Sequence, residues 1–218
     1  MKVRLIAKTM PVVEGMDTPA QLLAYCARVS STANQHNHAT GPKLLRFLVQ
    51  RREWSPLEMV NLVFEIEVER DIARQILRHQ FKFQEFSQRY ASVFQRFTRR
   101  RARLQDYKDR QNSIETDDVY IQIGWSLGQW AVATVCGAVY KTALRFGIAK
   151  EVARSVLPEG MTMSRMYVNG YLRNWMHFLD ARCDSKTQKE HREVAFAIRE
   201  VLVKEFPDIA DLIPGEKK

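Results

Sequence analysis

The chain has 218 residues, 45% hydrophobic and 27% charged. That balance builds an apolar core and excludes disorder as the main state. A formal charge of +9 draws anions, whether nucleotide, folate polyglutamate, nucleic acid or acidic membrane, without choosing among them. Cys26, Cys136 and Cys183 are scattered with no C-x-x-C pair, which excludes a disulfide framework and a cysteine zinc site and fits reduced thiols in a cytoplasmic protein.

Val3, Leu5 and Ala7 alternate with Lys2, Arg4 and Lys8, which predicts a first strand; no secretory apolar stretch precedes it. Thr18-Pro19 reads as N-cap and first helical residue of a helix to about Arg28. His36 to Pro42 is a polar loop whose His36 and His38 lack the carboxylate or cysteine partners of a metal site, so no metal is expected. A helix follows over Lys43 to Arg52. Leu62, Phe64, Ile66 and Val68 then mark a second strand, with Glu65, Glu67 and Glu69 on its other face. Asp71 is expected to cap a short helix to Arg78.

The basic excess concentrates between Arg89 and Arg110, including Arg99 to Arg101; a solvated, highly charged helix is the simplest reading. Val119 to Tyr140 carries no charge and is long enough to span a bilayer. Gln122, Ser126, Gln129, Thr134 and three glycines point instead to a helix buried by its own chain and by neighbouring subunits in an oligomer core. It should end near Gly147, a natural left-handed residue. A short helix over Lys150 to Val156, an extended Met161 to Val168, helices over Tyr171 to Ala181 and Thr187 to Phe206, and a loose tail from Pro214 to Lys218 complete the chain. Segregated helices with few strands predict an α+β fold in one domain, residues 1–218.

Four stretches carry chemistry. Gln75 to Gln80 and Glu85 to Tyr90 concentrate arginine, glutamine, glutamate and serine. Such planar hydrogen-bonding groups suit a nucleotide, because arginine binds phosphate bidentately and glutamine reads an imide edge; a polar hairpin with incidental salt bridges is the alternative. Glu151 to Pro158 places Arg154 near the end of a short helix. In Asn169 to Arg182, Arg173, His177 and Asp180 share one helical face while Leu172, Trp175, Met176 and Leu179 form the apolar one. Trp54 to Glu58 forms a turn before the second strand. No G-x-G-x-x-G follows a strand, and no phosphate-binding P-loop or G-x-S-x-G elbow is present.

Taken in order, Ser55-Pro56-Leu57-Glu58, Arg74-Gln75-Ile76-Leu77-Arg78-His79-Gln80, Gln84 to Tyr90, Glu151 to Pro158, Phe178 to Arg182 and Thr187 to Arg192 resemble the flavin-dependent thymidylate synthases, the ThyX family. That family carries an S/T-P-x-E core, R-Q-x-x-R-H-R, N-E-x-S-x-R-Y, E-x-A-R-x-x-L-P, F-L-x-x-R and a final A-Q-x-E-I-R helix. The departures are local. Gln80 stands where the family has arginine, and the interval to Ser87 is one residue short. Gln84 and Tyr171 replace asparagines, and Glu53-Trp54 stands where a histidine is common.

The resemblance implies an α+β subunit with a small, mainly antiparallel sheet, in a homotetramer whose sites are shared between chains. It implies conversion of dUMP to dTMP with FAD, NAD(P)H as reductant and methylenetetrahydrofolate as carbon donor. Arg182 would touch the uracil imide and act as the catalytic cation. Ser87, Arg89 and Arg154 would hold phosphate and sugar, with Gln75, Arg78, Glu85, Phe86 and Gln88 nearby. Arg78, His79, Gln80, Glu85, Tyr171, Arg173 and His177 would face FAD, together with Ser30 and Ser55. With Gln80 in place of arginine, one charge-assisted contact is lost, about 1.5–3 kcal/mol if buried, so weaker FAD binding is expected. Two other readings are open: capture of the carbon unit by water to give hydroxymethyl-dUMP, and a non-enzymatic nucleic-acid binder using Arg89 to Arg110.

Overall fold

The computed structural model describes residues 1–92 and 97–216. Strand β1 (Lys2–Lys8) precedes helix α1 (Pro19–Ala27). The Thr18 hydroxyl accepts from the Gln21 N–H at 3.2 Å, and the Gln21 side chain accepts from the Thr18 N–H at 3.0 Å. This reciprocal box satisfies two orphan donors and starts the helix where the sequence placed it. Helix α2 (Gly41–Gln50) and a 3-10 turn (Ser55–Met59) lead into β2 (Asn61–Glu69). Helix α3 (Arg70–Ile76), β3 (Lys82–Glu85), β4 (Arg103–Gln105) and β5 (Ser113–Glu115) follow. Then come α4 (Val119–Arg145), α5 (Lys150–Ala153), β6 (Met163–Tyr171), α6 (Leu172–Arg182) and α7 (Lys189–Glu205).

One sheet has the order β1-β2-β6-β3, and β4 pairs with β5 in a second. The backbone bonds Thr9 N–H to Asn61 O, Leu172 N–H to Val60 O and Phe86 N–H to Arg165 O set the four strands antiparallel. The chain divides into two compact units. One contains Glu67–Arg78 and Gln84–Met166; the other contains Lys2–Ile66, His79–Phe83 and Tyr167–Lys218.

The core of the second unit follows from strand and helix periodicity. Leu62, Phe64 and Ile66 of β2 are fully buried, as are Trp175 and Leu179 of α6 and Val194, Ile198 and Leu202 of α7. Each large apolar side chain so covered contributes about 1.5–3 kcal/mol. The Trp175 Nε1–H donates to the Leu62 carbonyl at 3.3 Å and the Gly170 carbonyl at 3.1 Å, so the buried indole leaves no orphan donor. Helix α7 packs on both α6 and β1, and α1 packs on α2.

The first unit corrects three expectations. Asp71 does not cap α3; Glu69 holds that position without a side-chain bond. The Asp71 carboxylate instead takes a fork from Arg100 at 2.6 and 2.7 Å, because a paired guanidinium outweighs a cap worth about 1 kcal/mol. The basic segment, part of which (93–96) lies outside the described residues, is no charged helix where it is described. It forms the β4–β5 hairpin, with Leu104 opposite Ile114 and Arg103 opposite Glu115.

Helix α4 ends as expected, with Gly147 at φ 78°. Its own chain, however, buries only Gln129 and Tyr140. Gln129 accepts from the Arg100 N–H and donates to the Arg100 carbonyl, both at 2.9 Å; Gln122 does the same at Ala102, both at 3.0 Å. The helix's polar residues therefore clamp a neighbouring backbone, while Trp125, Leu127, Trp130 and Val135 stay half or more exposed. Among the described residues no helix is long and apolar enough to cross a membrane.

Candidate active site

In the second unit, Arg182 lies in the last turn of α6, and its Nε–H donates to His79 Nε2 at 2.9 Å. That bond requires a neutral imidazole with its lone pair on Nε2. Burial pushes His79 down from 6.5 to about 4, and the Arg182 charge pushes the same way. His191, fully buried on α7, is lowered to about 3, first by burial and then by Arg182 and His79. Phe178 packs against both imidazoles, 4.9 Å from His79 and 5.6 Å from His191, and the two imidazoles lie 6.1 Å apart, ring centre to ring centre. Arg182 is thus a permanent cation set among neutral rings, with one edge of its guanidinium fixed by His79.

His191 was missed by sequence reasoning. Its signal was present: it stands where the A-Q-x-E-I-R pattern has isoleucine, a polar residue on an apolar helix face.

The other flavin candidates of this unit do not form one row. Arg173 is ion-paired with Glu58. His177 stands edge-on to Trp54 at 4.8 Å, its pKa lowered by burial and then by Arg173, against Asp180. Ser30 and Ser55 are exposed, beyond α1 and at the start of the 3-10 turn. Gln80 and Tyr171 meet in a cleft of about 460 Å³ with Glu58, Lys82, Asn169 and Asn174. Tyr171 opens α6, where its N–H donates to the Asn174 side-chain oxygen at 3.0 Å.

Phe81 forms part of the cleft wall, and a Cβ added to Gly170 would meet its ring at 2.4 Å, so only glycine lets strand and ring pack. Among the described residues, the buried Oδ1 of Asn169 has no hydrogen-bond partner. An aromatic wall, an unsatisfied amide and a lysine fit a phosphorylated planar cofactor such as a flavin nucleotide in kind.

The first unit holds the remaining candidates. Glu85 is held within its unit: the Ser164 hydroxyl donates to it at 2.7 Å, and Arg70 and Arg74 lie at 3.3 and 3.7 Å. Ser87 opens a turn, its carbonyl accepting from the Tyr90 and Ala91 N–H groups and its hydroxyl from the Arg89 N–H at 3.3 Å. Arg89 pairs with Glu151 at 2.9 Å. Gln88 is 4% exposed, and among the described residues its Nε2 has no hydrogen-bond partner. Phe86 is exposed, and Gln75 sits in the last turn of α3. Among the described residues, neither Arg78 nor Arg154 has an ion pair. Two unneutralised guanidiniums in the unit of the Ser87 turn provide cations for an anion such as phosphate.

The basic segment is less available than its charge suggests. Arg100 is bound to Asp71 and Glu69, and Arg101 to Asp117.

Arginines without a described ion pair in one unit, and in the other a guanidinium oriented by a neutral imidazole, are each suited to an anionic ligand. Residues 11–208 match the family described as thymidylate synthase complementing protein (Thy1). The chain is 45% identical over 214 residues to a flavin-dependent thymidylate synthase of Synechocystis sp., covering 96% of this chain and 98% of that one. It is 43% identical over 211 residues to a probable flavin-dependent thymidylate synthase of Paramecium bursaria Chlorella virus 1, covering 96% and 97%. Its structure is similar to that of a UMP/dUMP methylase, PolB, from Streptomyces cacaoi bound with 5-Br dUMP: TM-score 0.81, 26% identity, covering 97% of this chain and 93% of that one. The chain belongs to the flavin-dependent thymidylate synthase family.

Proposed function

We propose that this protein methylates dUMP to dTMP in the cytoplasm, as a homotetramer in which residues 1–218 act as one domain. Methylenetetrahydrofolate supplies the carbon and NAD(P)H the electrons. FAD, when bound, supplies the hydride that completes the methyl group. The observation that carries this reading is Arg182, a helix-end guanidinium whose orientation is set by a neutral histidine. The likeness to a methylase bound with a brominated dUMP supports the same substrate.

The chain's residues do the following. Arg78, Arg154, Ser87 and Arg89 bind the phosphate and sugar, with Arg89 exchanging Glu151 for the ligand. Gln88 brings an unsatisfied amide, and Gln75 and Phe86 complete the nucleotide contacts. Arg182 sits at the uracil imide and favours its ionised form, since a guanidinium keeps its charge throughout turnover. His79 fixes the Arg182 plane and, being neutral, adds no competing charge. Tyr171, Gln80, Arg173 and His177 border the flavin, with Ser30 and Ser55 at its periphery; Glu85 acts through Arg70 and Arg74. Catalysis on this account is positioning plus a preset electrostatic field.

The test is turnover of dUMP with FAD, reduced nicotinamide and methylenetetrahydrofolate, with mass analysis of the nucleotide product. A net mass gain of one CH2 unit, methyl replacing a ring hydrogen, is expected. Hydroxymethyl-dUMP as the main product, or no nucleotide product from FAD-saturated protein, would overturn the assignment.

A further inference from the structure

Resting on the proposed flavin dependence, we propose that Lys82 is the phosphate-binding cation of the cleft bordered by Gln80, Tyr171 and Asn169, in the place of the arginine this chain lacks at position 80. The charges of this cleft fix the class of ligand. Its carboxylate, Glu58, is ion-paired with Arg173. Lys82 lines the same cleft, and among the described residues it has no hydrogen bond or ion pair. The cleft therefore carries one uncompensated positive charge.

Local geometry explains how the charge came to sit two residues on. Gln80 lies in the bend before β3 and Lys82 is the first residue of that strand, and both line the cleft. Phe81 lies between Gln80 and Lys82 and points inward, its ring 4.2 Å from Trp175 and seated over Gly170. With Phe81 anchored, Gln80 and Lys82 both face the cleft. Lysine carries its ammonium on a flexible four-carbon stem, and from the same cleft it can serve the space an arginine at position 80 would serve. An ammonium is a point charge and suits phosphate oxygen, whereas a planar ring edge calls for a guanidinium. The ligand group is accordingly the phosphate of a flavin nucleotide, with the isoalloxazine or adenine ring against the amide of Asn169.

The experiment titrates purified full-length protein with riboflavin, FMN and FAD, following quenching of flavin fluorescence at two salt concentrations. Lys82→Gln is expected to weaken FMN and FAD roughly fivefold or more at low salt, and to flatten the salt dependence. Riboflavin, which has no phosphate, is expected to bind both proteins equally. Lys82→Arg should retain FAD, and Gln80→Arg added to Lys82→Gln should restore it. Unchanged FAD affinity in Lys82→Gln overturns the proposal, as does an equal loss of riboflavin, which would make Lys82 structural. Absence of FAD binding by the wild-type protein overturns the proposed flavin dependence together with this inference; FAD binding with an indifferent Lys82 removes the inference alone.

Discussion

Helices α4 and α6 are both rich in apolar residues, yet they meet opposite fates. On α6, Leu172, Trp175, Met176, Phe178 and Leu179 are buried by their own unit, and that packing holds Arg182 and its neighbours in place. On α4 a helix of 27 residues is anchored within its unit by Gln122 and Gln129, and most of its apolar side chains face outward. An apolar stripe of this extent on a monomer's surface marks an interaction surface. The contrast teaches that hydrophobicity states what must be covered, and periodicity states by whom. The α6 pattern has one apolar face and closes on one core. The α4 pattern is apolar nearly all round, and this chain by itself covers little of it.

The largest expected effect breaks the α6 side of this contrast. Arg182→Ala should lower turnover roughly a hundredfold or more, comparable to removing an oxyanion donor, with flavin content unchanged. Arg182→Lys should rescue poorly, because a point charge cannot reproduce the planar fork that His79 aligns. A near-wild-type rate with FAD saturating would remove Arg182 from the site.

Next comes α4. Leu127→Asp with Trp130→Glu places two charges on its exposed face, where the folded single chain loses little. Sedimentation of this variant at micromolar concentration should show dissociation and loss of activity, beside an assembled wild type. A wild-type monomer retaining full activity would refute the interface.

A smaller effect concerns pH. His79 and His191 lie below 6.5, at about 4 and about 3. As pH falls through 6.5 the unfolded chain takes up these protons first, so the stability of the neutral pair is complete above that value and is lost progressively toward 4. Thermal unfolding followed from neutral pH downward should show a falling Tm, with a shallower slope in His191→Leu. Equal slopes would mean that other groups govern the acid limb.

Smallest is Gln80→Arg. Because Gln80 is exposed, the added contact is of the surface kind, about 0.2–1 kcal/mol, rather than the buried value expected from sequence. FAD titration should show tightening of at most roughly fivefold. Weaker binding would count against aligning this motif with the cleft.

Wherever local pattern is decisive, the sequence by itself determined the outcome: the Thr18-Pro19 start of α1, the alternating core of β2, the left-handed Gly147 and the two faces of α6. It also carried the family, because the ordered motifs lie in segments whose spacing survives folding. Departures from those motifs are legible too, such as Gln80 in the place of an arginine.

The tertiary structure alone decided how charges pair. Asp71 reads as a cap, yet its carboxylate is held by Arg100, 29 residues away, and Glu85 meets Arg70 and Arg74. Arg182 and His79, 103 residues apart, read as contacts for two different ligands and prove to touch each other. The physical reason is range. Capping, strand alternation and helix periodicity act over a few residues and are written locally. A charged side chain takes the best partner that the folded backbone brings within about 3 Å, and sequence separation does not encode that choice.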